Sequence, residues 1–390
     1  MKQTVPVLCI LTLITVAACG NGSQGADSAQ EQQTGSETAG AVMPEVDHWL
    51  VVTDSIGVEL GDSNLVFGQI VAGEFMPNGN IVVADMVKNK ISIFSADGEF
   101  IAQAGRQGSG PGEYQLLTTV AVTAEGGLIV PDAMGGKLNF YDSDYNFVDT
   151  MTGFFPSPPV MISPVAGGFV GLKPEFEQTE EEMRTGMGIY LWTDSVTADV
   201  EYVKNMIPLD LNDLGATAKA MVLFDTDYNG NVFLTPYSTE DYTITCVSPD
   251  GEEIWSITEE QSTVRKTDEE IEEEREMVRS RLIAGGAPAS MAENYQVEEY
   301  KAFISMLEVD NLHRLWVQSG LYNSAFYRVY DCDNGDFLFT AALRVDDEHE
   351  GVTPTISEYG ITGFDPNTNT WSRLYIIHPE EPDLFQTQNW

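Results

Sequence analysis

The sequence repeats a short pattern of apolar strands and tight turns five times between residues 77 and 343. Each copy begins with a Gly- or Asn-containing turn. A strand of four or five apolar residues comes next, and a polar loop and two further strands follow it. The copies lie at 77–105, 124–152, 165–173 continued by 188–203, 228–258 and 309–343. Asx-Gly pairs such as Asp97-Gly98 supply the positive φ that two-residue hairpin turns need. The pattern predicts an all-β chain that adds one small sheet per copy.

The spacing of the opening turns gives the size of the repeated unit. Gly79 and Gly126 lie 47 residues apart, and Gly126 and Gly167 lie 41 apart. These values match the roughly 40–50 residues of a propeller blade. Two longer gaps contain insertions, an acidic loop at 175–184 and a segment at 264–300.

A sixth unit would come from the C-terminal end of the chain. Residues 358–364 and 371–376 carry strand patterns, and an N-terminal strand near 49–53 or 56–60 would complete the sheet. Pairing the first strand with the last closes a ring and removes exposed strand edges. A closed ring of six blades is therefore the predicted architecture, over a domain at 46–390.

The first repeat carries a family resemblance. Its residues 77–101, PNGNIVVADMVKNKISIFSADGEFI, and the following GRQGSGPGEY at 105–114 resemble six-bladed β-propeller proteins related to NHL repeats. These are common as secreted or lipid-anchored bacterial proteins. Residues 54–59 are similar to the leader before blade one in such proteins. The resemblance is sharpest over 54–150, and it implies a fold without an activity, because propellers host many functions.

The insertion at 264–300 interrupts the strand rhythm. Asp268–Glu276 is rich in acids, and Ile271, Val278 and Leu282 form one helical stripe that Gly285-Gly286 would end. A second helix is expected over 290–303. The segment predicts a helical hairpin on one propeller face, acting either as a decorated surface loop or as a lid or partner-binding arm.

The N-terminus has the features of a signal peptide at 1–18. The apolar run Val5–Ala18 is too short to span a bilayer, which takes roughly 20 residues. Val16-Ala17-Ala18-Cys19 resembles a bacterial lipobox, which implies lipidation of Cys19; the alternative is ordinary cleavage near Ala18. Residues 19–45 are Gly, Ser, Gln, Ala and acid, so a disordered, lipid-anchored tether is predicted.

These features place the protein in the cell envelope, anchored on the periplasmic or extracellular side. Gly20 follows Cys19 where Asp often signals inner-membrane retention in enterobacteria, so the outer membrane is preferred. The expected partners are the lipid membrane through Cys19 and a protein of the envelope, and the propeller is expected to be monomeric.

Charge excludes other partners. The chain has 61 acidic and 19 basic residues, a formal charge of −42. Binding to nucleic acid needs clustered Lys and Arg side chains, and so does docking on anionic lipid through a basic face. The charge therefore argues against both kinds of partner. Cys246 and Cys332 would remain after processing, either as buried thiols or as a disulfide that this compartment would permit.

Aligning the first strand of each repeat places Asp85, Asp132, Lys173, Pro236 and Ser319 at equivalent positions. In a propeller such residues would form a ring around the axis and bind a polar ligand or cation. The alternative is that the two Asp side chains accept hydrogen bonds from turn amides. Arg106 is the one base of the Gly105–Gly112 loop, and it would line the funnel or pair with Glu113.

Catalytic and metal motifs are weak. No nucleophile motif is present, and the four histidines have no metal-ligand spacing, so no catalytic residue, cofactor or metal ligand is assigned. Calcium at Asp225–Gly230 (DTDYNG) is considered because alternating oxygens resemble a calcium loop.

The leading hypothesis for the function is a ligand- or protein-binding module or scaffold. The alternatives are a metal-dependent lactonase-like or lyase-like enzyme with the insertion as lid, and a purely structural envelope component.

Overall fold

The computed structural model describes residues 43–381, apart from residues 181, 211–213, 285–288, 347–348, 350 and 367–370. The first strand is β1 (His48–Ile56). Blade 1 contains β2 (Ile70–Phe75), β3 (Ile81–Asp85), β4 (Lys90–Phe94) and β5 (Phe100–Ala104). A two-residue parallel pair, β6 (Arg106–Gln107) with β7 (Glu113–Tyr114), leads to blade 2, which contains β8 (Ala121–Val122), β9 (Leu128–Asp132), β10 (Lys137–Tyr141) and β11 (Phe147–Thr152).

The second half of the chain repeats the same plan with longer connections. Blade 3 contains β12 (Met161–Val165), β13 (Gly168–Gln178), β14 (Met183–Trp192) and β15 (Val200–Pro208), and a 3-10 helix (Leu214–Ala220) follows. Blade 4 contains β16 (Val222–Thr226), β17 (Val232–Pro236), β18 (Tyr242–Val247) and β19 (Glu253–Glu259). Helices α1 (Asp268–Ala284) and α2 (Ala289–Glu293) precede blade 5, which contains β20 (Ile304–Val309), β21 (Arg314–Ser319), β22 (Phe326–Asp331) and β23 (Phe337–Leu343). Strands β24 (Thr353–Ser357), β25 (Gly360–Phe364) and β26 (Leu374–Pro379) belong to blade 6.

Each blade is an antiparallel sheet, and in blades 1 to 5 the strands follow chain order from the axis outward. The first strands of the blades, β2, β8, β12, β16, β20 and β24, contact one another around the centre, and we call them the inner strands. This arrangement confirms the predicted all-β, six-bladed propeller.

The core lies between the blades because successive side chains of a strand point to opposite faces of its sheet. In β17, Val232 and Leu234 pack with residues of blade 3, whereas Phe233 between them packs with residues of blade 5. Among the described residues, every one of the six blade-to-blade interfaces has a cluster of buried apolar side chains of this kind. Apolar runs such as Ile81–Ala84 are therefore buried on both faces.

The ring closes through β1, which forms the outer strand of blade 6. It pairs antiparallel with β26, with Ile56 opposite Leu374, and this confirms the predicted use of an N-terminal strand near 49–53. Its first residues also pair in parallel with β23, with His48 opposite Ala341. Blades 5 and 6 therefore form one eight-stranded sheet. The sequence prediction lacked β24, the inner strand of this blade.

The insertion at 264–300 forms a helix followed by one short turn of helix. Thr267 and Glu270 exchange side-chain-to-backbone hydrogen bonds at the start of α1, an N-terminal capping box. Val278 and Leu282 are buried with Tyr295, and Leu209 after blade 3 packs against this cluster. The second helix ends at Glu293, so the expectation of a helix over 290–303 is wrong in extent. Phe303 instead lies in the core between blades 4 and 5.

Cys246 and Cys332 are buried free thiols in the core between blades 4 and 5. Burial raises the pKa of the Cys246 thiol to about 12, so it stays protonated at neutral pH. In the described part of the chain, no helix is long and apolar enough to cross a membrane. The predicted signal peptide, Cys19 and all of the predicted tether before residue 43 lie outside the described residues.

Candidate functional site

A cavity of about 770 Å³ runs through the centre of the propeller, and all six inner strands contribute to its wall. We call it the axial cavity. Most of its wall is apolar, with Val, Ile, Leu, Met and Phe side chains such as Met161, Leu223, Phe224 and Met306. Ligand pockets typically have volumes of about 300–1,000 Å³ and this kind of lining, with a small number of polar groups that orient the ligand.

One set of equivalent positions on the inner strands lines this cavity in every blade. In four blades, strand pairing places the member opposite the residue three positions before the end of the second strand, as for Glu74 opposite Val82 and Asp225 opposite Phe233. In blades 3 and 6 the pairs are Ser163 with Val170 and Thr355 with Thr362. We call this set the axial ring. Its members are Glu74, Ala121, Ser163, Asp225, Glu308 and Thr355.

The three acids of the axial ring accept hydrogen bonds from the inner strand of the next blade. The backbone N–H of Val122 donates to Glu74 Oε1 at 3.0 Å, and that of Ile356 donates to Glu308 Oε1 at 3.0 Å. Asp225 accepts from the backbone N–H of Val309 at 2.8 Å and from the Ser163 hydroxyl at 2.8 Å. These bonds join neighbouring blades at the axis, so the ring has a structural role whatever else it does.

Burial changes the acidity of these groups. Desolvation raises the pKa of Glu74 to about 8 and that of Asp225 to about 6, and it raises the pKa of Glu308 well above its usual range. The Asp225 charge adds to the effect on both glutamates. At neutral pH the ring therefore holds protonated carboxyl groups beside a carboxylate, an arrangement of hydrogen-bond donors and acceptors with perturbed pKa values that is typical of functional sites.

Among the described residues of the cavity wall, three buried side-chain atoms lack a hydrogen-bond partner in the protein. They are Thr118 Oγ1, Glu308 Oε2 and Gln318 Oε1, and the residues Glu308 and Gln318 are more than nine-tenths buried. Buried polar atoms are nearly always paired, so each such atom needs an explanation. A bound molecule or water in the axial cavity would supply the missing partners.

The sequence-predicted residues Asp85 and Asp132 lie at the ends of the second strands, one strand farther from the axis. Asp85 accepts hydrogen bonds from the backbone N–H groups of Gly68, Gln69 and Lys88. Asp132 accepts two in the same way, from Leu116 and Gly135. Both side chains are buried and are not among the residues that line the axial cavity. The hydrogen bonds of Asp85 and Asp132 match the alternative in which these side chains accept hydrogen bonds from turn amides.

The other predicted residues are also engaged locally. Lys173 Nζ lies 2.7 Å from Glu175 Oε1, and the Ser319 hydroxyl accepts a hydrogen bond from the backbone N–H of Leu321. Arg106 pairs with Glu113, with 2.7 Å from Nε to Oε1. None of the three lines the axial cavity. A ligand-binding role for these residues stays a prediction.

The loop considered for calcium is an Asx turn between β16 and β17. Asp227 Oδ1 accepts hydrogen bonds from the backbone N–H groups of Asn229 and Asn231, and its Oδ2 lies 2.7 Å from His313 Nε2. Asp225 points instead to the neighbouring blades. The described residues contain no group of three His, Cys, Asp or Glu side chains placed to hold a metal ion.

Sequence reasoning missed the axial ring, although a signal for it exists. Glu74, Asp225 and Glu308 each interrupt an apolar strand (VAGEF, VLFDT and SMLEV). Each also lies five residues before the left-handed residue of the following turn, Gly79, Gly230 or His313. The repeat pattern begins at each opening turn, whereas these acids lie on the strand before that turn.

Comparison with known proteins agrees with this architecture. A family model described as a 6-bladed beta-propeller matches residues 61–157, the part of the chain that contains blades 1 and 2. No curated protein matches the chain.

Several solved structures resemble the chain at low sequence identity. A candidate exported protein from Bacteroides fragilis is 14% identical, with a TM-score of 0.46 over 85% of this chain and 96% of that one. A member of a family of unknown function from Bacteroides vulgatus is 8% identical, with a TM-score of 0.45 over 86% and 99%. Virginiamycin B lyase from Staphylococcus aureus is 8% identical, with a TM-score of 0.43 over 85% and 99%. The blades and the family match together identify the chain as a six-bladed β-propeller, as its first repeat predicted.

Proposed function

We propose that this protein is an extracytoplasmic binding module that holds a small ligand in its axial cavity. The observation that carries the proposal is the cavity itself, about 770 Å³ with a largely apolar wall and a few polar groups at the axial ring. A wall of this composition removes the apolar part of a ligand from water, while the polar groups fix its orientation.

The location is part of the same proposal. The short apolar run at Val5–Ala18 and the lipobox-like residues before Cys19 support export and lipidation. Two acyl signals give stable anchoring where one chain alone is marginal. Residues 19–45 would then hold the propeller away from the membrane surface, on the periplasmic or extracellular side.

Binding can be tested with a neutral apolar dye, N-phenyl-1-naphthylamine, whose fluorescence rises when it leaves water. We expect saturable binding at one site per chain, and we expect Met306→Trp, which fills the cavity, to weaken it at least tenfold. Met134→Trp is the matched control, because Met134 is 64% exposed and lies outside the cavity wall. Absence of saturable binding, or equal binding by Met306→Trp and the native protein, would contradict the proposal.

The anchor can be tested by fractionation. Cys19→Ala should release the protein from membranes and abolish incorporation of labelled fatty acid, whereas Cys9→Ala, within the predicted signal peptide, should leave both unchanged. A Cys19→Ala protein that still sediments with membranes would refute lipid anchoring.

A further inference from the structure

We propose that the ligand of the axial cavity is an organic cation, an amine with an apolar body whose charged end is held at the axial ring. This inference rests on the proposed function and names the chemical class of ligand for the same site. It is carried by the charge of the cavity wall, by unpartnered acceptor atoms in it and by the arrangement of its acids.

The charge of the wall has one sign. Among the described residues that line the axial cavity, five are acidic and none is Lys, Arg or His. The acids are Glu74, Asp225, Asp227, Glu308 and Glu358. An anionic ligand would be repelled by this wall, because charges inside a cavity with low-dielectric walls interact strongly.

The unpartnered atoms need hydrogen-bond donors. Gln318 Oε1 is an acceptor, and Glu308 Oε2 is an acceptor whenever this carboxyl is ionised. Both residues lie on neighbouring strands of blade 5, β20 and β21. An ammonium group carries up to three N–H donors and no acceptor, so it can satisfy both atoms and place its charge beside the carboxylates.

The arrangement of the acids favours an organic cation over a metal ion. The described residues do not bring three ligating His, Cys, Asp or Glu side chains together around one point. A compact ion needs several oxygen ligands at about 2.0–2.6 Å. An organic cation needs fewer direct contacts, because its apolar body gains free energy against side chains such as Met161, Leu223 and Phe224 in the rest of the wall.

Electrostatics at the ring also favours a cation. Desolvation raises the pKa values of Glu74 and Glu308, and the nearby Asp225 charge raises them further. A bound cation supplies a counter-charge. The same ring that joins the blades through one oxygen of each glutamate would thus use the remaining oxygen for the ligand.

The test compares three molecules with the same apolar body and different ends: 4-phenylbutylamine, 4-phenylbutan-1-ol and 5-phenylpentanoate. Calorimetric titration of the native protein at pH 7 should show the amine binding at least tenfold more tightly than the alcohol, with no detectable binding of the carboxylate. Equal affinities for amine and alcohol, or tighter binding of the carboxylate, would overturn the inference. If the naphthylamine dye still binds, the proposed function survives that failure; if neither the dye nor any of the three molecules binds, the proposed function fails as well.

A substitution locates the preference at the ring. Glu308→Gln keeps the shape of the side chain and an acceptor for the Ile356 N–H, and it removes the carboxyl group that would ionise beside a bound cation. We expect it to reduce the amine-to-alcohol affinity ratio at least fivefold, whereas Glu99→Gln, an exposed acid outside the cavity, should leave the ratio unchanged. A ratio that Glu308→Gln does not alter would contradict recognition at this ring. Should that variant not fold, the comparison of the three molecules on the native protein decides the question.

Discussion

Two sets of acidic side chains at equivalent positions in the blades have different surroundings. Asp85 and Asp132, at the ends of the second strands, accept hydrogen bonds from backbone amides of neighbouring loops. Glu74 and Glu308, on the inner strands, accept one amide each from the next blade and face the axial cavity. In blade 1, which contains both Glu74 and Asp85, the two acids lie on adjacent strands.

The hydrogen-bond partners of a carboxylate decide its role more than its position in a repeat does. Asp85 has three amide donors, which occupy both of its oxygens and leave little for a ligand to add. Glu308 has one amide donor and an oxygen without a partner in the cavity wall, so a ligand can still contribute a bond. Asp132 Oδ2 also lacks a hydrogen-bond partner, but it lies 3.9 Å from Lys137 Nζ, and Asp132 does not line the cavity. Position in a repeat thus gives similar geometry, and local donors decide between a structural and a binding role.

The largest effect is expected for Asp85→Ala. The substitution leaves the N–H groups of Gly68, Gln69 and Lys88 without their acceptor, and unsatisfied buried groups cost about 1–3 kcal/mol each. Water will reach some of them, so we expect the free energy of unfolding to fall by about 3 kcal/mol in urea denaturation. Dye affinity of the folded fraction should not change. A stable variant with lost dye binding would show that Asp85 belongs to the binding site.

A smaller effect is expected from pH. The pKa of Glu74 is about 8 in the folded protein and near 4.5 when unfolded, and that of Asp225 is about 6 against 3.8. Between these values the folded state binds more protons than the unfolded state, so the free energy of unfolding contributed by these groups falls as pH rises. This loss of stability extends from about pH 4 to 6 for Asp225 and from about pH 4.5 to 8 for Glu74.

Thermal unfolding between pH 5 and 8 checks this prediction. Glu74→Gln keeps an acceptor for the Val122 N–H and removes the titration, so its melting temperature should fall less over this range than that of the native protein. Glu99→Gln serves as the control for a general loss of one negative charge. Parallel pH profiles for Glu74→Gln and the native protein would contradict the raised pKa of Glu74.

The smallest effect is expected for Arg106→Ala. The Arg106 side chain is 77% exposed, and exposed ion pairs contribute about 0–1 kcal/mol. We therefore expect less than about 1 kcal/mol of lost stability and unchanged binding of the dye and the amine. A clear loss of affinity at unchanged stability would return Arg106 to the ligand site that the sequence first suggested.

Much of the fold was predictable because a blade is a local structure. Each blade needs alternating strands and Asx-Gly turns, both of which can be read along the chain, and the closing role of β1 follows from the need to cover a strand edge. The axial ring was harder to predict, because its members are about 40 to 80 residues apart and three of the six are Ala, Ser and Thr. Only their common register across six separate sheets brings them together.

The sequence by itself determined the blade repeat, the acidic character and the position of the inserted helix, because these depend on patterns within a few tens of residues. The tertiary structure alone decided which carboxylates face the axis. A strand exposes alternate side chains to two different neighbouring blades, so a shift of one strand or one residue changes an amide-bound structural acid into one that lines a cavity. For this protein that distinction separates Asp85 and Asp132 from Glu74, Asp225 and Glu308.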